Sequence, residues 1–153
     1  MHLYYINGDH NNMANVISGY HEATQVKPIV INVDFHSDAR LSQDGPHSGT
    51  WLSDAYAREE VAHTYHIGLS LLSNSEACID NLEKYGVTYR DYTWDEIQMR
   101  GGSGRALPEI SQEVIADIQK RFGKDYPVIF TIDGDTVCGL PCSASNELLG
   151  YPA

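Results

Sequence analysis

Ile29-Val30-Ile31-Asn32-Val33 and Val128-Ile129-Phe130-Thr131-Ile132 are almost unbroken apolar, largely β-branched runs, and each runs straight into an aspartate. A half-exposed strand alternates apolar and polar residues. Runs this continuous instead suit strands buried on both faces of a parallel sheet. Residues 28–34 and 128–133 are therefore read as strands, and 3–7, 64–69 and 87–92 have the same character.

Helical patterns fill the intervals. Met13, Val16, Ile17 and Tyr20 share one helix face, which Asn11 or Asn12 can cap. Residues 51–61 form a second candidate starting near Ser48, and 76–85 a third, opened by Ser73 or Asn74 and closed by Gly86. The clearest spans 108–122: Pro108 stands near its start, Ile110, Val114, Ile118 and Phe122 recur every fourth residue, and Gly123 stops it. Strands alternating with helices mean βαβ units and a parallel sheet covered on both faces. Sites in such sheets form beyond the carboxyl ends of the strands. The Gly-rich run 100–108 reads as a surface loop, with an active-site lid as the alternative. It lacks the Lys-Ser/Thr ending of a phosphate loop.

With 153 residues and neither repeat nor linker, residues 1–153 are expected to form a single compact domain. Its core needs no disulfide staple. Cys78, Cys138 and Cys142 are odd in number and carry no redox or zinc-knuckle spacing, which reads as reduced structural cysteines. The net charge of −11 without a Lys/Arg cluster argues against nucleic-acid partners and suits metal cations and a cationic substrate. No apolar run reaches the ~18 residues of a membrane span. The start Met1-His2-Leu3-Tyr4-Tyr5 lacks a signal peptide's basic and apolar regions, so a cytoplasmic location is expected.

Chemistry concentrates at the strand ends. Asp34, His36 and Asp38 leave the first apolar run at i, i+2 and i+4, a spacing that can turn all three to one side. Asp133 and Asp135 repeat the arrangement after the second run, and His10 follows the strand at 3–7. Any one of these pieces alone would pass as a turn or helix cap. Together, four carboxylates and two imidazoles exceed the four ligands of one tetrahedral zinc and suit two ions with bridging aspartates. Oxygen-rich coordination with some imidazole favours Mn²⁺, with Co²⁺, Fe²⁺ or Zn²⁺ also compatible. Four carboxylates balance two dications; without metal they would raise one another's pKa values.

Gly8-Asp9-His10, Asp34-Phe35-His36-Ser37-Asp38 and Thr131-Ile132-Asp133-Gly134-Asp135 resemble, in order and wording, the ureohydrolase superfamily of arginases, agmatinases and formimidoylglutamases. Its patterns are Gly-Asp-His-Ser, Asp-Ala-His-x-Asp and Ser-x-Asp-x-Asp. The resemblance implies a three-layer α/β/α sandwich with a mostly parallel sheet, here a trimmed arginase-like core. It also implies a dimanganese centre that activates water for attack on a guanidinium carbon. Carried over, His10 and Asp38 belong to one ion, His36 and Asp135 to the other, and Asp34 and Asp133 bridge. Asp9 stands behind His10 and orients it. His47, in Pro46-His47-Ser48-Gly49, resembles the proton-shuttling histidine of arginases, whereas His63 and His66 read as structural. Family members often form trimers or hexamers, so a homo-oligomer is compatible.

Departures from the pattern shape the substrate expectation. Asn11 and Thr131 replace the serines of the first and third motifs. The glutamate with which arginases bind guanidinium has no counterpart after Asp135, leaving Asp44 and Glu147 as candidate substitutes. Only eight residues separate Asp38 from His47, where arginases have a longer loop that contacts the carboxylate of the free amino acid. These features are similar to peptide arginases, which convert arginine side chains within ribosomally made peptides to ornithine and release urea. A small-molecule ureohydrolase and a catalytically silent metal-binding scaffold are the alternatives. A metallophosphoesterase would need a late Asn-His and a deacetylase-like enzyme a paired His-His, and both are missing.

Overall fold

The computed structural model describes residues 10–42 and 45–136. Three strands, β1 (Ile29–Val33), β2 (His63–Ile67) and β3 (Val128–Ile132), form a parallel sheet in the order β2-β1-β3. Asn32 lies opposite both His66 and Thr131, so these three residues make one row across the sheet. The strand expected at 3–7 lies outside the described residues.

Helices cover both faces and give the three layers. Against one face, Val30 packs with Met13, Ala14 and Ile17 of α1 (Met13–Thr24), Trp51 and Leu52 of α2 (Trp51–Ala57) and Leu82 of α3 (Glu76–Tyr85). Against the other, Ile29, Tyr65 and Ile67 pack with Ile97 of α4 (Trp94–Met99) and with Ala106, Ile110, Val114 and Ile118 of α5 (Ser103–Phe122). The four-residue apolar spacing read from the sequence is thus the buried stripe of α5. No helix among the described residues is long and apolar enough to cross a membrane.

The structure corrects several local expectations. α1 begins at Met13, but its cap residue Asn12 makes no side-chain capping bond, because the turn His10–Asn12 precedes it in helical conformation. α2 stops at Ala57, where Glu59 turns left-handed (φ 57°), rather than running to Val61. α3 is capped by Ser75, which accepts from Cys78 N, and closed by Gly86 at φ 68°. At 87–92 the chain gives no strand: only Thr88 bridges, to Tyr65, before the turn Arg90–Tyr92.

The Gly-rich run 100–108 is neither loop nor lid throughout. Gly101 and Gly102 make the turn at positive φ, and α5 then starts at Ser103, placing Pro108 inside the helix. Burial of Ala106 in the core outweighs the weak helix propensity of this stretch. α4 was not anticipated, although Thr93 and Glu96 carry the spacing of a capping box and Thr93 accepts from Glu96 N.

The expectation that β3 is buried on both faces does not hold among the described residues. Thr131 is buried and Ile129 packs against one core, yet Phe130 on the opposite face is 59% exposed, with Val128 and Ile132 beside it. Among the described residues β3 is an edge strand, and the α5 stripe packs over β1 and β2.

Candidate metal centre

Four side chains converge beyond the carboxyl ends of β1 and β3. Val33 pairs with Ile132, so Asp34 and Asp133 leave the sheet side by side, and Asp133 N donates to Val33 O at 2.9 Å. His10 opens the turn that leads into α1. Asp38 completes the group from a left-handed backbone (φ 49°), which is uncommon for a residue other than glycine and is held only where the surroundings enforce it. The start of α2 does so: Trp51 Nε1 donates to Asp38 Oδ2 at 2.6 Å and Leu52 N to Asp38 O at 3.1 Å.

His10 Nδ1 lies 2.9 Å from Asp38 Oδ2 and 3.3 Å from both Asp34 Oδ2 and Asp133 Oδ2. One potential ligand atom from each of these residues falls within 4.8 Å of all the others. Solvent reaches the group mainly at Asp133, whose side chain is 27% exposed while that of Asp34 is fully buried.

The imidazole shows what this arrangement is suited to hold. Its Nε2 lies 3.0 Å from Thr131 Oγ1. With that hydroxyl accepting, Nε2 carries the ring proton and Nδ1 points a lone pair at three carboxylate oxygens. In that tautomer Nδ1 is buried with no hydrogen to donate to them. Only a cation, a proton or a metal, reconciles a lone pair with three carboxylates. Burial alone would lower the His10 pKa, but Asp133, Asp34 and Asp38 overcome it and push it up to about 12. Burial also holds Asp34 above the ordinary carboxylate range, against the pull of His10. One nitrogen and several carboxylate oxygens form a donor set that fits a divalent cation of the Mn²⁺ to Zn²⁺ range.

A sequence model of the arginase family matches residues 2–139. The chain belongs to the arginase family. Among solved structures, a formimidoylglutamase from Bacillus subtilis subsp. subtilis str. 168 matches with a TM-score of 0.72 and 26% sequence identity. The match covers 86% of this chain and 39% of the formimidoylglutamase, so the chain spans well under half the length of that relative. No curated protein matches the chain.

Membership of the arginase family gives the geometry its meaning. His10, Asp34, Asp38 and Asp133 are the whole donor set that the motif resemblance assigns to one ion. His36, assigned to the other ion, is not in this group; its backbone N donates to Asp34 Oδ1 at 2.8 Å, and its ring lies edge-on to Phe35. The side chain of Asp135 is not described, and Asp9, Asp44 and Glu147 lie outside the described residues, as do Cys138 and Cys142. Cys78 is a buried free thiol that accepts from Ser75 Oγ.

His47 is exposed and caps the turn Ser48–Thr50, which packs against the His10–Asn12 turn. Its Nδ1 accepts from Gly49 N at 3.2 Å, which places the proton of the neutral ring on Nε2. His63 sits at the far end of β2, with Nε2 2.8 Å from Thr88 Oγ1 and 3.1 Å from Arg121 Nη1, in keeping with a structural role. His66 does not fit the structural reading so simply, because its Nε2 lies 3.0 Å from Asp34 O. Trp51 and Thr131 are further contacts to side chains of this cluster that the sequence did not single out as such. Thr131 shared a motif with Asp133, but Trp51 carried no signal beyond apolar character.

Proposed function

We propose that this chain is a dimetal-dependent hydrolase acting on a C–N bond of a linear amidine or guanidino group. The observation that carries the proposal is the convergence of His10, Asp34, Asp38 and Asp133, with three carboxylate oxygens 2.9–3.3 Å from His10 Nδ1, in a chain of the arginase family. In this reading His10, Asp34, Asp38 and Asp133, together with His36 and Asp135, would hold two Mn²⁺ ions, and Asp9 would orient His10. Bound divalent ions supply Lewis acidity and lower the pKa of water towards neutrality.

The chain's own residues do the rest. The Asp34 carboxylate is held by His36 N and Asn32 Nδ2, and Trp51 holds Asp38 by its indole N–H. His47 stands on the turn beside His10 with a protonated Nε2, suited to exchange protons between the reacting group and solvent.

The substrate we favour is an arginine side chain within a peptide, converted to ornithine with release of urea. The short Asp38-to-His47 connection leaves little chain to contact a free amino acid's carboxylate, and the net charge of −11 suits a cationic peptide. A small-molecule ureohydrolase is the second reading, favoured by the likeness to a formimidoylglutamase. Incubating Mn²⁺-loaded protein with an arginine-containing peptide, free arginine, agmatine and a formimidoyl amino acid separates the two. The favoured reading expects urea and loss of CN₂H₂ from the peptide alone, by mass spectrometry. Turnover of a free compound with the peptide untouched supports the second reading. Inertness of all four with metal bound would leave the metal-binding scaffold.

A further inference from the structure

Asn32 and His66 are fully buried polar residues in a sheet interior where apolar side chains would serve packing better. Burying such groups is costly unless they are hydrogen-bonded. Strand register places them opposite each other on one face of the sheet, and Asp34, two residues beyond Asn32, leaves β1 on that same face.

Their hydrogen bonds lead to Asp34. His66 Nε2 lies 3.0 Å from the Asp34 carbonyl oxygen, which can only accept, so Nε2 carries the proton and Nδ1 a lone pair. That lone pair accepts from Asn32 Nδ2 at 3.3 Å. The same amide nitrogen donates its second hydrogen to Asp34 Oδ2 at 3.4 Å. Rotating the amide would set Asn32 Oδ1 against a lone pair and a carboxylate, so His66 fixes which way the amide points. Asp34 Oδ1 is meanwhile held by His36 N at 2.8 Å. Asn32 Oδ1 is left buried without a partner, a cost that packing alone gives no reason to retain.

We infer that Asn32, oriented by His66, is a positioning residue that fixes the Asp34 carboxylate for metal binding. Rotation of a carboxylate about its last bond is soft. A ligand whose oxygens must meet the ion on fixed vectors gains from an amide that cannot turn. Behind Asp34, the pair holds the main chain through His66 and the carboxylate through Asn32. The inference rests on the metal-site reading above.

Mn²⁺ titration calorimetry on folded protein tests it. Asn32→Leu removes the donor at similar volume, Asn32→Ala does so with a smaller side chain, and His66→Phe removes the group that orients the amide. Each is expected to weaken Mn²⁺ binding ~10–100-fold, the usual effect of losing a partner that orients a ligand. The double variant Asn32→Leu/His66→Phe should lose no more than the worse single, because the two act as one unit. The d–d absorption of bound Co²⁺ should also shift, which a purely structural role would not cause. Wild-type affinity in any of these variants that folds, whatever its melting temperature without metal, overturns the inference. Failure of the wild type to bind Mn²⁺ would instead overturn the metal-site reading itself.

Discussion

If the strand-end group is a metal centre, folding and metal binding must be linked, because only the folded chain brings His10, Asp34, Asp38 and Asp133 within 4.8 Å of one another. Mn²⁺ at about a hundred times its dissociation constant should stabilise the fold by ~2.7 kcal/mol. A chain of 153 residues gains ~2–4 °C in Tm per kcal/mol, so the Tm should rise about 5–11 °C above that of the EDTA-treated protein. Asp34→Asn keeps the shape of the side chain, and its carbonyl oxygen can still accept from His36 N. It also removes the charge and sets an amide where Oδ2 stood 3.3 Å from His10 Nδ1. If affinity falls about a hundredfold, the same Mn²⁺ concentration stabilises by only ~0.4 kcal/mol, a shift of about 1–2 °C. The metal-free variant should melt below the metal-free wild type, because the new amide opposes the buried Asn32 amide and removes a carboxylate beside His10, so the Mn²⁺ shift is read within each protein against its own EDTA-treated form. Differential scanning fluorimetry of both proteins, with EDTA and across a Mn²⁺ series, measures all of this. A wild-type Tm indifferent to both treatments, or an Asp34→Asn protein with the full shift, would refute the reasoning.

Three further outcomes are expected. His47→Ala should lower turnover ~100- to 10,000-fold with Mn²⁺ content unchanged, because general acid–base help acts during reaction and His47 is not a proposed ligand; a variant that loses metal by elemental analysis would make His47 a ligand. Burial, with Arg121 adding to it, lowers the His63 pKa from 6.5 to about 4, so the unfolded chain takes up a proton that the folded chain refuses. Stability is then full above pH 6.5 and declines as pH falls towards 4. Discounted for the solvent around Arg121, the loss should be ~1–2 kcal/mol between about pH 7 and pH 5, and it should vanish in His63→Gln when both are unfolded with urea in EDTA. Gly68 stands at φ 93° with space for a Cβ only 3.4 Å from Asp34 O, so Gly68→Ala should lower the Tm and weaken Mn²⁺ binding together. Unchanged values would show that the backbone there relaxes freely.

Much of this protein is written locally. The pattern of a strand is set by its own backbone, so the apolar runs ending at Asp34 and Asp133 could be read without knowing what lay beside them, but Asp38 joins Asp34 through a left-handed backbone and His36 stays outside the group. The α5 stripe was legible for the same reason, since one helix face depends only on spacing along the chain. Short α4, buried chiefly through Ile97, offered too little periodicity to be seen, and Gly-rich 100–108 concealed the first turns of α5. The partners of each cluster were not written locally. Placing β1 between β2 and β3, so that His66, Asn32 and Thr131 form one row beneath Asp34 and His10, depends on pairings between residues far apart in the chain. Residue type alone gave His66 no more claim on the site than His63, yet the register puts one against Asp34 and the other at the far end of the strand. Trp51 reaches Asp38 only because α2 packs across β1. Candidates for the strand-end cluster were therefore legible from spacing, whereas which side chains meet and how they are oriented was decided by tertiary structure, because hydrogen bonds between strands and helices exist only once long-range packing has set their register.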